Sequence, residues 1–338
     1  QLLAYCLSII LCVSFTGCME NYLDLYPEDK ITSASFPENE SDIKLLLNGV
    51  YAQLREKEVY NQGLFGFGIT DGATPNAFNW GTDEVFNKLG AGRLSSSDGG
   101  VVTYRWKRCY EIISRANYLL ACMDLVDLSE EAKAKYSGET HFLRGLAYSV
   151  LAETYGGVPI ILTNISTEEA RSLKRASLEE TWQQALDDYE VAITNLGVDA
   201  PEPGRATKGA ALGMKMRAYL YQGKYKEVLS CVEQIDALKK YGLFHSYEGL
   251  FDPANENNKE VLFDIQYIEG ENSQGSYIDQ YCGTGTGSWT RGSRYVPTDD
   301  LVAAYETIDG SPVDPENPYE NRDPRLGFTA VLPGSYFL

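Results

Sequence analysis

The sequence predicts a mainly α-helical protein: a solenoid of stacked helix hairpins with long loop-rich insertions and a few short strands. Three observations carry this expectation. Six segments place apolar residues at helical spacing. Two of them are joined by only Gln222-Gly223-Lys224. The stretches between and after the helical segments are rich in Gly, Asn, Asp and Ser, with aromatic residues interspersed. At 338 residues and 43% hydrophobic content, the chain can bury a substantial core in one large domain or two small ones.

The first helical segment is "SDIKLLLNGVYAQLREK", with Ser41 or Asp42 as the expected cap and Ile43, Leu46, Leu47, Val50 and Leu54 on one face. The second, "VVTYRWKRCYEIISRANYLLACMDLV", carries a stripe of Tyr110, Ile113, Asn117 and Leu120. In the third, "ETHFLRGLAYSVLAETYGGVP", Phe142, Leu146 and Val150 form one row and Leu143, Ala147 and Leu151 the next. Gly156 and Gly157 can take the left-handed stop, and Pro159 prevents continuation. The fourth, "SLEETWQQALDDYEVAITNLG", opens with Ser177 and Glu180 at capping-box spacing. Leu178, Trp182, Ala185, Tyr189 and Leu196 line its apolar face, and Gly197 ends it. The fifth and sixth lie in "TKGAALGMKMRAYLYQGKYKEVLSCVEQIDAL". Leu212, Met216 and Tyr219 line one member, and Val228, Val232, Ile235 and Leu238 the other. Their short joint makes an antiparallel hairpin.

That hairpin resembles a tetratricopeptide unit. Gly223, Tyr225, Glu227 and Leu229 follow the G-x-Y-x-E-x-L spacing, with Val228 in place of the usual alanine. Such hairpins need stacked neighbours to cover their apolar faces, and the other helices supply them. From Tyr241 onward the pattern becomes loop and short strand, as in "EVLFDIQY". Ordered loops of this length on a rigid frame are often functional.

The N-terminus has its own logic. Leu2 to Phe15 carries no charge and is shorter than the ~20 residues of a spanning helix. It fits the apolar core of a secretory signal peptide. Thr16-Gly17-Cys18 resembles a bacterial lipobox, in which the cysteine becomes the lipidated first residue. Phe15 stands where leucine is commonest, and no initiator Met or basic segment precedes the run, so the true start is expected upstream. A buried N-terminal helix is the alternative. The expected organisation is a signal peptide over 1–17, a lipidated tether over 18–40, a helical scaffold over 41–240 with an insertion at 58–100, and an irregular ligand-binding region over 241–338.

Net charge is −19, from 48 acidic against 29 basic residues. Such a surface repels phosphate backbones and anionic lipid, so nucleic acid is not an expected partner and membrane attachment must come from the anchor. Beyond the opening run, Cys109, Cys122, Cys231 and Cys282 are widely spaced without a CxxC, which predicts structural thiols rather than a metal or disulfide framework. No cofactor is expected.

Five segments in order, "NGVYAQL" (48–54), "RANYLL" (115–120), "FLRGLAYSVLAETYGGVPII" (142–161), "RATKGAALGMKMRAYLYQGKY" (205–225) and "YENRDPRLGFTAVLPG" (319–334), resemble the SusD/RagB family of Bacteroidetes outer-membrane lipoproteins. The resemblance runs from Cys18 to the end of the chain. It implies a surface lipoprotein with a tetratricopeptide-like scaffold. Such a protein caps a SusC-like TonB-dependent transporter and captures oligosaccharides, or sometimes peptides, without hydrolysing them. Members of the family usually continue beyond the RDPR-like segment, so a C-terminal portion is expected to be missing.

Neutral glycans present apolar faces and many hydroxyls, so a capture site needs aromatic platforms beside polar partners. Two stretches fit. "GATPNAFNWGTDE" offers Asn76, Phe78, Asn79 and Trp80, and "SYIDQYCGTGTGSWTRGSRY" offers Tyr277, Tyr281, Trp289, Arg291 and Arg294. Each aromatic could instead anchor its loop to the core. "GTGTG" lacks the lysine and setting of a phosphate loop. "NRDPR" reads as an ion-pair turn, since no base or nucleophile accompanies Asp323. His141 and His245 are the only histidines, which leaves no material for a histidine metal centre or triad. A carboxylate-pair glycosidase and a helical-repeat adaptor that binds only protein remain as alternatives.

Overall fold

The computed structural model describes residues 36–55, 71–79, 88–95, 97–267 and 295–334. The expected signal peptide and Cys18 lie outside these residues; of the expected tether only residues 36–40 are described, and Glu40 already opens the first helix. Nine helices carry the described part: α1 (Glu40–Tyr51), α2 (Val101–Cys122), α3 (Glu130–Tyr155), α4 (Thr167–Ser172), α5 (Leu178–Asn195), α6 (Lys208–Tyr221), α7 (Tyr225–Ala237), α8 (Asp299–Ala304) and α9 (Arg325–Thr329). Two short strands, β1 (Ala77–Asn79) and β2 (Tyr295–Pro297), pair antiparallel. The long helices pack in sequence order, α2 on α3, α3 on α5, α5 on α6 and α6 on α7, while α1 covers α2 and α3. The architecture is thus the expected helical stack.

Side-chain caps set the helix starts. Ser177 accepts from the Glu180 amide while the Glu180 carboxylate accepts from Ser177, the reciprocal box expected from their spacing. Thr207 caps α6 through the Ala210 amide at 3.1 Å. In α1 the cap is Asn39, not Ser41 or Asp42, because the Asn39 side chain reaches the Asp42 amide. Helix α3 starts at Glu130 under a Ser129 cap, nine residues before the expected segment opens at Glu139. Its first turns, "EEAKAKYSG", lack an apolar stripe and were silent to periodicity. The joint at Gln222-Gly223-Lys224 turns through a positive φ at Gly223, as the hairpin requires.

Three expected faces differ. Leu178 opens α5 and is half-exposed, since burial along this helix begins at Thr181 and Trp182. On α7 the inward row is Val228, Cys231, Ile235 and Leu238. Val232 sits one residue further round and faces out, and Cys231 is the buried residue. "EVLFDIQY" makes no strand. Its apolar residues serve the core: Phe263 meets the Phe142 ring edge-on at 4.9 Å, and Ile265 packs on the same cluster.

One polar knot lies inside the stack. Arg144 of α3 forks onto Asp188 of α5, with Nη2 donating to Oδ1 at 2.7 Å and Nε to Oδ2 at 3.0 Å. Its Nη1 donates to Asn117 of α2 at 2.8 Å, and Asn117 donates onward to the Ile161 carbonyl at 2.9 Å. Asn117, predicted on an apolar stripe, is buried because it ties the helices to the 158–163 segment. Cys109, Cys122 and Cys231 are buried free thiols; burial pushes Cys109 up to about 12.

Gly157 is the tightest of the described glycines. A Cβ there would lie 2.0 Å from the Ala176 carbonyl oxygen, and backbone cannot swing aside as a side chain can. Gly157→Ala should cost about 3 kcal/mol, read as a lowered urea midpoint. Gly327→Ala, where the added methyl meets open space, should leave the midpoint unchanged.

Candidate functional site

The first stretch proposed from sequence meets Tyr295, the last residue of the second, in the β1–β2 ribbon. Ala77 pairs with Pro297, Phe78 with Val296 and Asn79 with Tyr295. β1 therefore ends one residue before Trp80, beside the start of β2 one residue after Arg294. Local chemistry fixes this clip. Thr74 donates to the Asp71 carbonyl at 2.8 Å and accepts from the Asn76 amide at 3.2 Å, which turns the chain into β1. Beyond β2, the Thr298 amide donates to the Asn76 carbonyl at 3.0 Å. The Thr298 hydroxyl donates to the Pro75 carbonyl and accepts from the Leu301 amide, so it also caps α8.

Asn76 is exposed and Phe78 is 51% exposed, so neither is buried as a core anchor. Asn79 belongs to the ribbon through its backbone. Trp80, Tyr277, Tyr281, Trp289, Arg291 and Arg294 lie outside the described residues, as does Cys282. Sequence reading missed Thr298. Its signal was present, since Thr298-Asp299-Asp300 before an apolar pair has the form of a helix start.

Among the described residues, two cavities are lined without Asn76 or Phe78. One of 240 Å³ is lined by Asn48, Tyr51, Glu202, Arg205 and the 263–266 segment. A more apolar one of 580 Å³ lies among Leu146, Met214, Leu220, Leu262 and Tyr267. Neither includes a predicted ligand residue.

The buried carboxylate that could suggest acid catalysis is Glu139 of α3, whose pKa burial raises. It is 2% exposed, accepts from the Tyr51 hydroxyl at 2.7 Å and lies 3.5 Å from Arg205. Tyr51 in turn accepts from the Ala206 amide at 2.9 Å. The cluster binds α1 and α3 to the 202–206 turn and shields the carboxylate from any substrate. His141 is half-buried; its Nδ1 lies 2.8 Å from the Ser137 carbonyl, and burial lowers its pKa.

The "NRDPR" turn divides its charges. Arg325 and Asp323 pair through several contacts, including Nε to Oδ1 at 2.9 Å, and this pairing holds Asp323 at about 2. Arg322 instead is buried and donates to the carbonyls of Val302 and Pro318, both at 2.6 Å, and to that of Tyr305. It closes the loop between α8 and α9, a structural role.

Comparison with known proteins supplies the class. A family model described as starch-binding, associating with outer membrane, matches residues 21–220, and the SusD family model matches 259–338. The chain belongs to the SusD-like family. Among its relatives, a SusD-like protein (P25) of Formosa agariphila is 27% identical over 312 residues, covering 86% of this chain and 57% of the relative. A SusD-like protein of Bacteroides ovatus is 23% identical, covering 75% and 48%. A SusD-like carbohydrate-binding protein of Bacteroides fragilis has a similar structure, with TM-score 0.75, 27% identity, and coverage of 86% of this chain and 59% of that one. A laminarin-binding SusD-like protein shares the fold at TM-score 0.62 and 23% identity, covering 67% and 51%. The chain spans about half the length of the curated relatives it matches. Among the described residues, no helix is long and apolar enough to cross a membrane.

Proposed function

We infer that this protein captures neutral oligosaccharides at the outer-membrane surface and passes them to a SusC-like TonB-dependent transporter. A lipid on Cys18 holds it there. The observation that carries the reading is the β1–β2 clip, which joins two aromatic-rich stretches about 200 residues apart in sequence and leaves Phe78 exposed. Trp80, Tyr277, Tyr281 and Trp289 supply ring faces for the sugar, while Asn76, Asn79, Arg291 and Arg294 serve its hydroxyls. The carbohydrate-binding Bacteroides fragilis relative and the laminarin-binding neighbour support the ligand class. The family's association with the outer membrane supports the location.

Capture and hydrolysis separate in one assay. The purified protein, incubated with neutral hexasaccharides, should retain sugar on the protein while reducing ends stay at background. A time-dependent rise in reducing ends would make it a glycosidase and contradict this reading.

A further inference from the structure

The β1–β2 ribbon needs more than its own ladder to hold it. Each strand has three residues, and a lone two-stranded ribbon is only marginally stable in water. Thr298 and Pro75, which meet beside it, are 223 residues apart in sequence, so loop closure opposes the pairing.

One residue supplies the extra hold. Thr298 is half-buried directly after β2. Its hydroxyl donates to the Pro75 carbonyl, and its amide donates to the next carbonyl along, that of Asn76, at 3.0 Å. One residue thus fixes the peptide units on both sides of Asn76. That backbone carries Asn76 and Phe78, both exposed. The other end of the link is anchored too. Thr298 caps α8 through the Leu301 amide at 3.2 Å, and Arg322 grips the Val302 and Tyr305 carbonyls of the same segment.

We propose that Thr298 is a positioning residue for ligand capture: its hydroxyl bond to Pro75 holds Asn76 and Phe78 in the orientation that binds sugar. The proposal rests on the glycan-capture reading. Thr298 acts through the ribbon backbone, with no ligand contact of its own. A platform ordered before the ligand arrives loses less conformational entropy on binding, so the bond raises affinity.

The two tasks of the hydroxyl separate chemically. Capping α8 needs an acceptor for the Leu301 amide, whereas the Pro75 link needs a donor. Serine keeps both. An ionised aspartate caps helices well but cannot donate to a carbonyl. Valine has the shape of threonine and does neither.

The test is calorimetric titration of the full chain with maltohexaose, laminarihexaose and cellohexaose. It compares wild type with Thr298→Ser, Thr298→Asp and Thr298→Val, each checked for folding by circular dichroism. For the hexasaccharide that wild type binds, Thr298→Asp and Thr298→Val should each weaken affinity by about fivefold, the effect of one hydrogen bond that no longer orders the platform. Thr298→Ser should bind as wild type does. Amide hydrogen exchange over residues 76–79 should quicken in the Asp and Val variants and stay unchanged in the Ser variant. Wild-type affinity in folded Thr298→Asp would overturn the positioning role and leave capping as the task of this residue. Weakened binding by Thr298→Ser would overturn it as well, because the donor would then not be what matters. Absence of binding of all three sugars by wild type would overturn the capture reading, and the proposal with it.

Discussion

Replacing Arg144 by alanine will lower the unfolding free energy by about 3–5 kcal/mol. The side chains of Arg144 and Asp188 are 7% and 2% exposed, so the variant leaves a carboxylate inside the protein without its cation. Asn117 also loses the Nη1 donor that its carbonyl accepts. The cost comes from the orphaned charge rather than from the worth of the pair, because burying two ions already costs much of what their attraction returns. A double change, Arg144→Leu with Asp188→Leu, should therefore recover part of the loss. Urea unfolding of the single and double variants measures this. A single-variant loss below about 1 kcal/mol would mean that the knot is solvated and that the stack of α2, α3 and α5 does not depend on it.

Replacing Trp80 and Trp289 together by alanine should abolish glycan retention while the protein stays folded. Each ring stacked on a sugar face contributes about 1.5 kcal/mol, so losing two weakens affinity by roughly a hundredfold. Binding to a glycan-coated surface reads the loss, and the urea midpoint checks folding. Undiminished retention by the folded double variant would move the binding surface away from the ribbon.

The scaffold was legible because its signals are local. The row of Phe142, Leu146 and Val150, the Ser177–Glu180 box and the Gln222-Gly223-Lys224 joint each follow from spacing within a few turns, and each is present in the structure. The start of α3 was not legible, because "EEAKAKYSG" is held by its cap rather than by an apolar stripe. The role of Arg322 was hidden for a different reason. The carbonyls of Val302 and Tyr305, 20 and 17 residues back, join that of Pro318 on one guanidinium only after the loop closes. The same limit applied to the ligand stretches. Composition marked both as aromatic loops, but their meeting depends on pairing Phe78 with Val296, and non-local strand register is not encoded near either residue. Val232 shows the smallest kind of error: one residue of rotation, about 100° on a helix, moved it from the inner face of α7 to the outer one.

The central claim is that open aromatic surfaces on this helical stack hold neutral sugar chains without cutting them. Its most direct test is equilibrium titration of the full chain against a panel of neutral oligosaccharides, with unrelated peptides of similar length alongside. Saturable binding of at least one neutral oligosaccharide, with the sugar recovered intact and the peptides inert, is the predicted result. Peptides that bind while every sugar in the panel stays free would contradict it.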